Sequence, residues 1–377
     1  MGWTWGGRVE TTVVEPEQRS QPFHRRAFYG DDMDDDAIYD ILAAVEDPDL
    51  GEDIVSLNLV NDVTIDGADV KISLALGAPY SPNETAIAER VREVLASENI
   101  EADLSATIDR GVARDEQVLP DVKNVIAVAS GKGGVGKSTI AVNLAAGLSQ
   151  MGAHVGLFDA DVYGPNVPRM VAADEHPRAT EQERIVPPEK YGMKLMSMAF
   201  LVGEDDPVIW RGPMVHKILT QLTEDVEWGA LDYLIVDLPP GTGDTQLTLL
   251  QNVPVTGAVI VTTPQQVAVD DARKGLRMFG RHDTPVVGVV ENMSGFICPD
   301  CGSKHDVFGK GGGEAFAEDV EMPFLGAVPL DPGIRRGGDE GGPIVLEQGD
   351  VTNALQGVVD RTANNVGVLH RSRQRRQ

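Results

Sequence analysis

One nonapeptide restricts the fold of this chain more than any other feature. Gly131-Lys132-Gly133-Gly134-Val135-Gly136-Lys137-Ser138-Thr139 follows an apolar run, Val125-Ile126-Ala127-Val128-Ala129, and opens a helical stretch. The pattern G-x-x-x-x-G-K-S/T between a strand and a helix is a phosphate-binding loop. Its glycines let backbone N–H groups wrap phosphate oxygens, and the helix N-terminus adds a positive dipole. Lys137 would reach the β- and γ-phosphates, and Ser138 would ligate Mg2+. Such a loop needs a parallel sheet behind it. Further short apolar runs at 154–158, 233–236, 258–261 and 286–290 alternate with helical stretches. The expected fold is therefore an α/β doubly wound, mostly parallel sheet.

Two of these runs end in acids. Asp159-Ala160-Asp161 follows the second, and Leu234-Ile235-Val236-Asp237 closes the third. Carboxylates at the C-terminal edge of a parallel sheet face the ligand crevice. Asp237 in this position is a Walker B pattern, placed to hold Mg2+ through water.

Ahead of this domain, residues 33–110 read as a small α+β unit. Its expected elements are a helix over 36–45, a turn at Asp47-Pro48-Asp49-Leu50-Gly51 and a strand over 54–60. A hairpin through 63–76, a helix to Ser97 and a last strand over 102–108 follow. Residues 1–32 lack a period and are expected to be a disordered extension. Residues 111–122 form a polar linker and 123–362 the phosphate-loop domain. Residues 363–377 form a basic tail whose last part, His370 to Gln377, is expected to be unstructured.

The formal charge is −27, which opposes binding to nucleic acid and to anionic lipid. No run of apolar residues is long enough for a membrane span, and no signal peptide is legible. A cytoplasmic protein is expected. The only two cysteines, Cys298 and Cys301, form Cys298-Pro299-Asp300-Cys301. A redox pair, half of a zinc knuckle and two incidental thiols all compete for this motif. A structural zinc or a 4Fe-4S cluster needs four ligands, so one chain supplies two thiolates and a two-fold dimer supplies four. The count leaves iron and zinc both open.

Resemblance narrows the choice. Gly131 to Thr139, with its early Lys132, resembles the deviant Walker motif of the MinD/ParA ATPases. That likeness implies that ATP binds along the whole loop and that Lys132 reaches a partner's ATP across a homodimer. It puts Asp161 near the attacking water, Asp159 near the magnesium shell and Asn292 against adenine. Pro239-Pro240-Gly241-Thr242-Gly243-Asp244 resembles a γ-phosphate-sensing switch. Glu291-Asn292-Met293-Ser294-Gly295-Phe296, the cysteine pair, Phe308-Gly309-Lys310-Gly311-Gly312-Gly313 and Val328-Pro329-Leu330-Asp331-Pro332 resemble the Mrp/ApbC branch of that superfamily. The likeness covers about residues 35–362. It implies an ATPase that binds a 4Fe-4S cluster between two copies at Cys298 and Cys301 and transfers it to apo iron–sulfur client proteins. The small domain resembles iron–sulfur-assembly modules, with Ser81 where many carry a cysteine. Two other readings stand beside this one: a MinD/ParA-like positioning ATPase, and a zinc-clamped ATPase dimer. A tail without an apolar face and the acidic charge weigh against the first.

Overall fold

The computed structural model describes residues 3–4, 34–66, 69–107, 118–162, 164–201, 212–241, 243–298 and 301–375. The chain divides into two compact units, one drawn from 1–77, 83–109 and 370–377, the other from 78–82 and 110–369.

The small unit contains β1 (Trp3–Thr4), α1 (Asp35–Leu42), β2 (Val60–Asp66), β3 (Asp69–Leu74), α2 (Pro82–Ser97) and β4 (Ala102–Ala106). Its sheet runs β1-β4-β3-β2. The hairpin β2–β3 is antiparallel, whereas β3 and β4 are parallel and joined through α2. Asp34 caps α1 by accepting from Ala37 N at 3.0 Å. Ile38 and Leu42 of α1 bury with Ile87, Val91 and Leu95 of α2, spaced for one helical face.

Three expectations need correction. The strand expected over 54–60 is a run of turns. Asp53 accepts from Val55 N and Ser56 N at 3.0 and 2.8 Å, and Asn58 takes a left-handed φ of 55°. Ile54, Leu57 and Leu59 are all buried, a spacing that a two-residue period does not give. Within the expected extension, Trp3–Thr4 pairs antiparallel with Ser105 and Ala106. The basic tail is not a tail. α10 runs Asp350–Gln374, past the expected boundary at 363. Arg371 is fully buried, with Nε 2.5 Å from Asp47, Nη2 2.5 Å from Asp49 and Nη1 2.9 Å from Glu84. These partners lie 287 to 322 residues back for Glu84 and Asp49, so no local pattern announces them.

The large unit carries β5 (Val122–Ser130), α3 (Lys137–Gln150), β6 (Val155–Asp159), α4 (Val167–Met170), β7 (Arg178–Ala179), β8 (Ile185–Val186), β9 (Glu189–Lys190) and β10 (Met193–Ser197). It continues with α5 (Gly212–Glu224), β11 (Leu231–Asp237), α6 (Asp244–Asn252), β12 (Gly257–Thr262), α7 (Gln266–Arg281) and β13 (Val286–Ile297). Last come β14 (Lys304–His305), α8 (Gly312–Asp319), β15 (Phe324–Leu330), α9 (Pro332–Glu340) and α10. The main sheet runs β14-β13-β12-β5-β11-β6-β10-β9, with β15 also on β13. Only the edge pairs β9–β10 and β13–β14 are antiparallel. Every residue of β6, β11 and β12 is buried, as a sheet covered on both faces requires. Alternate residues of β5 face opposite cores. Ile126 and Val128 pack with α3 and α10, while Val125, Ala127 and Ala129 pack with α5 to α8. Residues 78–82 belong here too, since Tyr233 Oη donates to Pro79 O at 2.8 Å.

Removing Arg371 strands the buried Asp47 and Glu84 carboxylates, and losing one partner of a buried pair costs about 3–5 kcal/mol. Urea unfolding of Arg371→Ala is expected to show a loss near about 3 kcal/mol, whereas a solvated tail arginine would change stability by less than about 0.5 kcal/mol.

Candidate functional site

The phosphate loop leaves β5 at Ser130, between β11 and β12, and enters α3 at Lys137. Two glycines are required by geometry. Gly136 sits at φ 83°, and a Cβ there would lie 2.1 Å from Asn292 Nδ2. A Cβ on Gly131 would lie 2.1 Å from the Asp271 backbone. Gly134 is also left-handed, at φ 82°. Val135 is buried beneath the loop, and its carbonyl accepts from Asn292 Nδ2 at 2.8 Å.

Lys137 is buried among acids. Its Nζ lies 2.5 Å from Asp237 Oδ1, 3.3 Å from Ser138 Oγ and 4.0 Å from Asp161. Ser138 Oγ donates to Asp237 Oδ2 at 2.5 Å. Strand register explains the crowding: Asp237 at the end of β11 stands beside Asp159 at the end of β6. Asp159 is fully buried, and it turns away from the loop. Its oxygens accept from Asp161 N (3.2 Å), Val167 N (3.1 Å) and Ser197 Oγ (3.0 Å). Burial, reinforced by the Asp237 charge, pushes Asp159 up to about 7. Burial likewise raises Asp237 against the pull of Lys137. Ser138 and Asp237 offer adjoining hard oxygens, a donor set that suits Mg2+ completed by water and phosphate.

A cavity of about 510 Å³ opens over the loop, within the range of small-molecule sites. Lys132, Gly133, Gly134, Gly136, Lys137, Ser138, Thr139, Asp161 and Asn292 line it, whereas Gly131, Val135, Asp159 and Asp237 stand behind. Sequence reasoning missed the opposite wall, where Arg169 of α4 and Arg335 of α9 join the lining. Val167 N, at the start of α4, is held by Asp159, and Asp331 N-caps α9 by accepting from Gly333 N at 2.6 Å. The only sequence signal was Val328 to Pro332, which carried a likeness without a role. Thr242 of the switch segment lies outside the described residues.

The cysteines sit where β13 turns into β14. Cys298 N donates to Ser303 O at 2.9 Å and Gly302 N to Cys298 O at 2.8 Å. Pro299 and Asp300 lie outside the described residues. Both thiols are free, Cys298 half-buried and Cys301 exposed. The Ser303 hydroxyl, 3.2 Å from Cys301 Sγ, holds that thiol below its ordinary value, helped by the Ser303 N–H and by Cys298. Among the described residues, no group of three or more His, Cys, Asp or Glu side chains could hold a metal within one chain.

The raised Asp159 has a consequence for stability. Its folded value near 7 stands above the ordinary 3.8, so the folded protein retains a proton that the unfolded chain releases. The contribution is complete below the unfolded value and is lost as pH rises through about 7. Asp159→Asn lacks this dependence. Between about pH 4 and pH 7 the wild type is expected to lose on the order of 2 kcal/mol more stability than the variant, measured by urea unfolding of nucleotide-free protein. Parallel curves would contradict a proton held at Asp159.

Comparison with known proteins agrees with this geometry. Residues 121–366 match the family described as NUBPL iron-transfer P-loop NTPase, and 35–105 match that described as iron–sulfur cluster assembly protein. A protein of Synechocystis sp. called iron-sulfur cluster carrier protein is 47% identical over 345 residues, covering 88% of this chain and 98% of its own. One of the same name from Deinococcus radiodurans is 43% identical over 340 residues, covering 88% and 96%. The nucleotide-binding protein of Archaeoglobus fulgidus, solved in complex with ADP, aligns with a TM-score of 0.56 at 34% identity, over 63% of this chain and 95% of its own. A phosphate loop backed by paired strand-end carboxylates, with a small assembly-type domain ahead of it, thus places this chain in the family of NUBPL iron-transfer P-loop NTPases.

Proposed function

We propose that the protein is an ATP-driven carrier of a 4Fe-4S cluster, held between two copies by Cys298 and Cys301 and passed to apo iron–sulfur clients. The observation that carries this reading is the exposed cysteine hairpin borne on β13, the strand that also lines the nucleotide cavity through Asn292. Four thiolates are needed per cluster, and each chain has only two cysteines. Exposed apolar side chains flank the pair in sequence. Ile297, Val307 and Phe308 are 41%, 57% and 36% exposed, and they give a second copy an apolar surface to cover. Thiolate ligation also suits zinc, so a zinc-clamped dimer is the competing occupant.

On the nucleotide side, the loop N–H groups and Lys137 bind the β- and γ-phosphates. Mg2+ held by Ser138 and, through water, by Asp237 would neutralise phosphate charge. Asp161, on the cavity wall, orients a water for in-line attack on the γ-phosphorus. The bond from that phosphorus to the bridging oxygen breaks, and ADP and phosphate leave. Lys132 lines the cavity, and the described residues give its ammonium no hydrogen-bond or ion-pair partner. That suits a cation serving the phosphates of a second copy, as the deviant Walker motif implies. Asp159 acts one step back from the magnesium shell, by holding Asp161 N and the start of α4. Among the described residues no helix is long and apolar enough to cross a membrane, and with the charge of −27 this supports work in the cytoplasm away from nucleic acid and lipid.

The test is transfer. Protein reconstituted with iron and sulfide is mixed with an apo-enzyme that needs a 4Fe-4S cluster, and recovered activity is read. Wild type is expected to restore it and Cys298→Ser to fail, while Lys137→Ala lowers ATP turnover by about a hundredfold. Restoration by Cys298→Ser would overturn the cysteine assignment.

A further inference from the structure

β13 is two segments with different partners. Through Glu291 it pairs in parallel with β12, and from Val290 through Asn292, after a first shift at Val289/Val290, it pairs in parallel with β15. Its β15 pairing then slips between Asn292 and Phe296, and from Phe296 onward it pairs antiparallel with β14. The three residues between these segments carry two left-handed turns of the backbone. Met293 has φ 58° and Gly295 has φ 67°. A left-handed non-glycine such as Met293 persists only where neighbours hold it. Here the holder is Asn292, whose Oδ1 accepts from Met293 N at 2.9 Å. The same amide donates through Nδ2 to Val135 O of the phosphate loop at 2.8 Å.

The far end of the hairpin is pinned by the residue next door. Glu291, fully buried, accepts from Gly311 N at 2.9 Å and from Gly313 N at 2.5 Å at the start of α8. A Cβ on Gly313 would come within 2.9 Å of Glu291 Cβ, so only glycine admits this grip. The cysteine hairpin therefore hangs from two adjacent strand residues. Glu291 fixes its return and Asn292 sets its exit. Asn292 and Met293 both line the nucleotide cavity, and Cys298 follows Met293 by five positions.

We propose that Asn292 is a positioning residue through which bound nucleotide sets the geometry of the cysteine hairpin, with Met293–Gly295 as the hinge. A nucleotide lying against the Asn292 amide draws its oxygen away from Met293 N–H. The left-handed turn at Met293 then loses its support, and the segment beyond it reorients against the anchor at Glu291. Coupling of this kind is reciprocal, so whatever occupies the thiols changes nucleotide affinity by the same factor. The inference rests on the preceding reading only for what the thiols carry, not for the link itself.

The test uses the full-length, metal-free, reduced protein. The two thiols are labelled with a chromogenic disulfide reagent in the absence of oxygen, with and without saturating Mg-ADP or Mg-ATP. Calorimetry establishes that the nucleotide binds. The expected result is a change in labelling rate of about fivefold or more at Cys301, the lower end of ordinary coupling between sites. Gly295→Ala puts a Cβ on a left-handed position without touching the cavity. It is expected to bind nucleotide within about twofold of wild type and to lose most of the labelling response, since its hinge is stiffened. Met293→Gly, which needs no support to adopt that φ, is the second variant, and it too is expected to uncouple the thiols from nucleotide. Equal rates with and without bound nucleotide in the wild type would overturn the proposal, as would a full response in both variants. A protein that responds in this way yet transfers no cluster would contradict the carrier reading and leave the link standing.

Discussion

The enclosed ion pair between Lys137 and Asp237 is the contact on which the rest of this domain depends. A buried ammonium is tolerated only beside compensating charge, and a buried carboxylate only beside donors. The parallel sheet supplies both. β5 ends in the loop that delivers Lys137, and β11, its neighbour, ends in Asp237. β6 places Asp159 in register beside Asp237, so two buried carboxylates adjoin at one edge of the sheet. Burial, reinforced by the Asp237 charge, pushes Asp159 up to about 7. The same crowding ties Asp159 to the start of α4 and brings Arg169 to the cavity wall.

How much of this was legible in the sequence follows from the range of each interaction. The phosphate loop is contiguous, so its spacing disclosed it and the sheet behind it. Asp159, Asp161 and Asp237 were legible because strand ends in a parallel sheet share one edge. Arg169 and Arg335 were not. Each belongs to a short helix whose first turn is held by a carboxylate, Asp159 accepting from Val167 N for one and the N-cap Asp331 accepting from Gly333 N for the other. Arg371 was misread for the same reason. A basic, polar terminus looks solvated until Asp47, Asp49 and Glu84 are found around it. The turn at Ile54–Leu59 was misread because four apolar residues in six resemble a strand by composition, while Asp53 accepts from Val55 N and Ser56 N and turns the chain.

Glu291 shows a further limit of pattern reading. A carboxylate at the end of a strand looked like part of a motif without a task. In the structure it grips the start of α8, where a Cβ on Gly313 would lie 2.9 Å from the Glu291 Cβ. A glycine run distant from the phosphate loop thus serves the cysteine hairpin rather than the nucleotide. The domain therefore has two backbone cradles. One, at Gly131–Gly136, is aimed at phosphate, and the other, at Gly311–Gly313, is filled by the protein's own carboxylate. β13 runs between them and carries the thiols outward.

The proposed carrier role requires a cluster shared by two chains, because each supplies only two thiolates. Native mass spectrometry of anaerobically reconstituted protein tests this most directly, because it weighs chains and metal together. The account predicts two chains with four irons and four sulfides, and separated, metal-free chains for Cys298→Ser. A dimer retaining a single zinc, or one chain holding a whole cluster by itself, would contradict it.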